Sequence, residues 1–198
     1  MKTNAPHDLA TAGTRERIVR TASRLMQRQG YEGTGIKQIS REAGATLGSV
    51  YHFFPGGKQE LGAAAVRLGD EEFTALLRET LDAEPEPEKA LPALAAFLAQ
   101  GLRDSGWLDG CPVTSTVVGT ASGAPGIRQA AAEAFARWRS VVAESLVAAG
   151  FAAEDAVDLS HTVIATLEGA ELASQVARSE APLEAAGRHL ARLVASYR

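Results

Sequence analysis

The stretch Thr34–Lys58, TGIKQISREAGATLGSVYHFFPGGK, limits the possible folds more than any other part of the chain. Ile36, Ile39 and Ala43 recur at helical steps, and Gly44 follows where a helix end favours left-handed backbone. Thr46 is placed to cap a second helix, whose apolar residues Val50 and Phe54 lie four apart. Neither helix is long enough to stand alone in water, so both must pack on a third. That third helix begins near Thr14, repeats apolar residues at Ile18, Ala22, Leu25 and Met26, and stops at Gly30. The expectation is a three-helix head with two short helices joined by a tight glycine turn.

The remainder also reads as helical. After Pro55-Gly56-Gly57, an apolar side with Leu61, Ala65, Leu68, Phe73, Leu76 and Leu77 predicts a helix from Lys58 to about Asp82. Leu91, Leu94, Ala95, Leu98 and Leu102 mark another helix, ending near Gly106. The glycine- and proline-rich segment 106–126 is the least regular, with a short helix expected over Val113, Val117 and Ala121. Three longer helices follow, from Pro125 to about Ala149, from about Glu154 to Arg178, and from about Pro182 to Arg198. No alternating strand pattern and no 20–50-residue repeat is present. The fold class expected is all-α with about nine helices: residues 1–13 a flexible arm, 14–57 a helix-turn-helix head, and 58–198 a helical body.

Charge divides along the same line. Residues 1–70 hold 10 Lys/Arg against 6 Asp/Glu, and residues 71–198 hold 10 against 18, within an overall −4. A basic head on an acidic body suits local attraction to phosphates, although an arginine-rich solvated face at Arg17, Arg20, Arg24 and Arg28 supplies much of the excess. The single Cys111 cannot form an internal disulfide or a thiolate zinc site. No apolar run is long enough for a membrane span, and the polar N-terminal residues do not make a signal peptide. These features predict a cytoplasmic protein with no membrane partner, no cofactor and no metal.

In a helix-turn-helix the second helix enters the major groove by its N-terminal residues. Here those are Thr46, Leu47, Gly48 and Ser49, with Tyr51 and His52 at the groove wall. The hydroxyls reach base edges or phosphates, Leu47 meets a thymine methyl, and Gly48 allows close backbone approach. Thr34, Gly35 and Lys37 at the start of the first short helix, and Lys58 after the second, are candidate phosphate contacts. Thr34 and Thr46 also read as plain helix caps, and Tyr51 as a packing residue.

Residues 14–68 resemble the DNA-binding domain of the TetR/AcrR family of transcriptional repressors. The resemblance rests on Thr34, Ile36, Ile39, Ala43-Gly44, Gly48, Val50-Tyr51, Phe53-Phe54, Lys58 and Leu61. Gly35 stands where the family often has Ser or Thr, and the Pro55–Lys58 segment is one residue longer than usual. That insertion, with Gly110–Val113, is similar to the LmrA/YxaF-type branch. The resemblance implies an all-helical homodimer. Its head binds double-stranded operator DNA, and its body binds a small-molecule effector that releases the head.

For the body, the resemblance implies dimerisation through the last two helices. Small residues recur there at Ala165, Gly169, Ala173 and Ala177, and on the final helix at Gly187, Ala191 and Ala195; such rows also arise by chance in an alanine-rich chain. Leu183, Leu190, Leu193, Val194 and Tyr197 add larger apolar surface. Phe97, Trp107, Cys111, Thr114, Phe135 and Trp138 are the candidate effector contacts, because aromatic walls with a few polar groups suit drug-like ligands; they equally read as core. His161 is a core or interface group, or an effector contact. Cys111, His161 and Glu168 could form an enzyme's nucleophile, base and orienter, but nothing in their spacing specifies contact. A dimeric protein-interaction module is the remaining alternative. Of the three readings, the ligand-responsive repressor accounts for the most residues.

Overall fold

The computed structural model describes residues 13–118, 120 and 123–198. Among them it contains nine α-helices and no strand: α1 Thr14–Gly33, α2 Ile36–Glu42, α3 Leu47–Phe53, α4 Gly57–Ala83, α5 Pro87–Asp104, α6 Pro112–Val117, α7 Pro125–Ala148, α8 Ala153–Ala177 and α9 Ala181–Ala195. The expected arm lies outside the described residues apart from Gly13, and so does Ala121 of the short helix expected in the loop.

The chain divides into two compact units. One holds the described residues of Met1–Glu71 and Cys111–Ala134; the other holds Glu72–Gly110 and Phe135–Arg198. In the first unit α1 buries Ile18, Ala22, Leu25 and Met26, the stripe its sequence spacing predicts, and Val19 beside them. Gly30, at φ 71° and ψ 171°, breaks the helix where expected. The N-cap is Gly13, one residue before the expected Thr14, and no side chain bonds to the cap. α2 and α3 pack on α1 through buried Ile39, Ala43, Val50 and Phe54, and α6 also packs against α1.

In the second unit α9 packs on α5 and α8. Leu183 N–H donates to Ser174 Oγ at 3.2 Å, fastening α9 to the end of α8. The last residue, Arg198, is held by three contacts: Ala149 O at 3.2 Å, Glu88 at 3.2 Å, and the Phe151 ring, whose centroid lies 5.1 Å away. No helix among the described residues is long and apolar enough to cross a membrane.

Candidate nucleic-acid interface

The turn between α2 and α3 is set by local chemistry. Gly44 takes φ 59°, which a residue with Cβ rarely adopts. Ala45 N–H donates to Ser40 O at 2.9 Å, and Ser40 Oγ donates to Ala45 O at 2.6 Å, so the turn is closed from both sides. Thr46 then caps α3: its hydroxyl oxygen accepts from Ser49 N–H at 3.0 Å and lies 2.9 Å from Ser49 Oγ.

Val50 and Phe54 anchor α3 inward. With those two positions committed, Leu47 (40 % exposed) and Tyr51 (50 % exposed), one turn apart, face outward, and Gly48 and His52 are exposed beside them. This face contains four of the residues expected to read DNA, Leu47, Gly48, Tyr51 and His52. Arg24 pairs with Glu42 at 3.1 Å, and Arg17 Nε donates to Ala43 O at 3.3 Å, both holding α2 on α1. Part of the arginine excess on α1 is therefore structural.

Around α2 the outcome is mixed. Gly35 is its N-cap, exposed and without a side-chain bond, and Lys37 is exposed. Thr34 is a correction: it is fully buried as the C-cap residue of α1, and its hydroxyl donates to Gly30 O at 2.8 Å. It closes the break at Gly30 and is closed off from solvent. Lys58 is half-buried, with Nζ 4.2 Å from the Tyr31 ring centroid.

The proposed effector contacts separate between the two units. In the second unit, Trp138 is fully buried against Phe73 (ring centroids 4.7 Å apart) and Phe135 (4.9 Å), and its indole N–H finds no acceptor among the described residues. Phe97 and Trp107 are half-buried, and Trp107 takes φ 68° just after Gly106 at φ 65°. Cys111 and Thr114 belong to the first unit, where Thr114 N–H donates to Cys111 Sγ at 3.5 Å across the start of α6. His161 is a second correction. It is exposed on α8, one turn before exposed Ala165, and lines no interior wall.

The last two helices require a third correction. Leu183, Leu190 and Val194 are buried within the chain, on the α9 face that meets α5, so they are unavailable to a partner. Ala191 is half-buried. On α8, by contrast, Ala165, Gly169, Ala173 and Ala177 are exposed, and so are Val157, Leu172 (56 %) and Val176 (79 %), three large apolar residues not named from the sequence. The four-residue step from Leu172 to Val176 is a signal for those two; Val157 carries none.

One inward group of α8 carries unusual electrostatics. Glu171 is buried; burial, and secondarily the charge of Glu168, push its carboxyl from 4.5 up to about 8. It therefore keeps its proton at neutral pH.

An exposed α3 face set on the Gly44 turn, with helices alone among the described residues, is the arrangement of a helix-turn-helix. Comparison with known proteins gives the family. Residues 18–65 match the model described as "Bacterial regulatory proteins, tetR family", and residues 87–189 match "Transcriptional regulator LmrA/YxaF-like, C-terminal domain". The chain belongs to the TetR family of bacterial transcriptional regulators, in its LmrA/YxaF-like branch.

Two relatives from Bacillus subtilis (strain 168) are similar along most of the chain. The HTH-type transcriptional regulator YxaF is 35% identical over 170 residues, covering 86% of this chain and 89% of that protein. The HTH-type transcriptional regulator LmrA is also 35% identical over 170 residues, covering 86% and 90%. A TetR transcriptional regulator from Legionella pneumophila has the same fold, with a TM-score of 0.81 at 20% identity over 92% of this chain and 97% of that one.

Proposed function

We propose that the protein is a cytoplasmic, ligand-responsive repressor that binds a palindromic operator as a homodimer and is released by a small hydrophobic or aromatic effector. Residues 14–57 are the reading head, and residues 58–198 supply effector binding and dimerisation. The observation that carries this reading is the outward face of α3, where Leu47, Gly48, Tyr51 and His52 are exposed beside the Thr46 cap. These residues supply a methyl contact, a close backbone approach, and two groups suited to phosphate oxygens.

The partner is a second copy of this chain. The exposed α8 stripe of Ala165, Gly169, Leu172, Ala173 and Val176 combines small residues, which allow close helix approach, with large apolar ones that favour burial. Two heads so joined reach successive major grooves about 34 to 36 Å apart. The effector occupies the aromatic region of the body around Phe135 and Trp138. It acts by preferring the non-binding arrangement of the heads, with a coupling of about 1 to 3 kcal/mol.

The test is selection of duplexes from a random pool by the wild-type protein, followed by affinity measurements on a Tyr51→Ala, His52→Ala variant. The reading predicts a palindromic consensus and at least a tenfold affinity loss in the variant, about 1.4 kcal/mol, with helix content unchanged. Selection of no consensus, or equal affinity of the variant, overturns it.

A further inference from the structure

Two glycines in the middle of α4, Gly62 and Gly69, have ordinary helical backbone and cap nothing. They lie seven residues apart, two turns along one side of the helix. A methyl group on Gly62 would lie 2.7 Å from Ile127 Cδ1 and 3.1 Å from Tyr31 Cε2. A methyl group on Gly69 would lie 2.7 Å from Pro112 Cγ and 3.2 Å from Pro112 Cβ. At Gly69 the ring of Pro112 cannot move aside, so a side chain there forces the backbones apart; at Gly62 the end of Ile127 can shift, and the fit is tight without being closed to a methyl group.

The atoms they approach all belong to the head's own unit, and apart from Tyr31 they lie in one segment, residues 111–134. That segment is fastened at further points. Gln59 Nε2 donates to Gly123 O at 2.9 Å, and α6 packs on α1. The chain passes between the units at three places, after Glu71, before Cys111 and after Ala134. The first crossing lies in α4, and the other two bound the segment that the α4 glycines grip.

We propose that Gly62 and Gly69 are positioning residues that lock α4 to residues 111–134, so that the head and this segment move as one body and all three crossings act on the head together. This rests on the repressor reading for its use, and deepens it by naming the lever through which the effector's signal reaches the head. Pro112 is the rigid tooth of the seam, because its ring cannot rotate away as the end of Ile127 can.

The first measurement needs no DNA: amide hydrogen exchange of the free protein, wild type against Gly69→Ala and against Pro112→Ala. The seam predicts faster exchange, by about tenfold, not only in α4 and α6 but also in α1, in protein that keeps its helix content. Exchange in α1 equal to wild type in both variants overturns the proposal. Pro112→Ala keeps the test decisive should Gly69→Ala fail to fold.

The second measurement is affinity for the selected duplex. Gly69→Ala and Gly62→Ala each lose about tenfold. Pairing them with the change that trims the clashing atom, Pro112→Ala or Ile127→Val, restores most of it. Loss without rescue would mean that the contact with Pro112 or Ile127 is not what the glycine serves, and that result also overturns the proposal. Altered α1 exchange in a protein that selects no duplex would leave the seam standing and defeat the repressor reading instead.

Discussion

Replacing Glu171 by Gln should remove a pH dependence that is built into the second unit. The Glu171 carboxyl is buried on the inward side of α8. Burial and the Glu168 charge raise it from 4.5 to about 8. In the unfolded chain the same group gives up its proton near its ordinary value. Between the two values the folded state holds more protons than the unfolded state. The contribution of this site is therefore complete below the unfolded value and is lost as pH rises toward about 8. Each pH unit in that window changes the balance by about 1.4 kcal/mol. From about pH 5.5 to about pH 7.5, the wild type should thus lose about 3 kcal/mol relative to Glu171→Gln. Urea unfolding followed by helix circular dichroism, for both proteins at both pH values, gives this difference directly. A wild-type to variant difference that is equal at the two pH values would refute the reasoning.

Three further outcomes follow from particular contacts. Thr46→Ala removes the oxygen that accepts from Ser49 N–H, and should cost about 1 kcal/mol in a thermal melt while weakening duplex binding. Leu172→Glu with Val176→Glu places charges on the exposed α8 stripe; sedimentation should show a dimer for the wild type and a monomer for the variant, with an unchanged fold. Trp138→Ala empties the centre of the Phe73–Phe135 cluster and should cost about 3 to 5 kcal/mol in urea unfolding.

Much of the head was legible because its signals are local. Gly30, Gly44 and Thr46 determine backbone at their own positions, and α1 shows its buried stripe at plain helical spacing. Gly62 and Gly69 carried no such message, since their reason lies at Pro112 and Ile127, more than forty residues along the chain. For the same reason, the packing of residues 111–134 with the head could not be read from spacing. Periodicity shows that α9 has an apolar face, but not what covers it. Its spacing alone is compatible with Leu183, Leu190 and Val194 facing a partner, whereas α5 covers them within the chain. Thr34 misled in the same way: a threonine ahead of a helix suggests a cap, but its hydroxyl turns back to the broken end of α1.

The central claim, a phosphate-contacting surface built on α3, is tested most directly by the salt dependence of duplex binding. Affinity of the wild-type protein for its selected duplex should fall steeply between about 50 and 200 mM salt. For a dimer making about 6 to 10 phosphate contacts, the log–log slope should be about −5 to −9. A slope near zero would contradict the account.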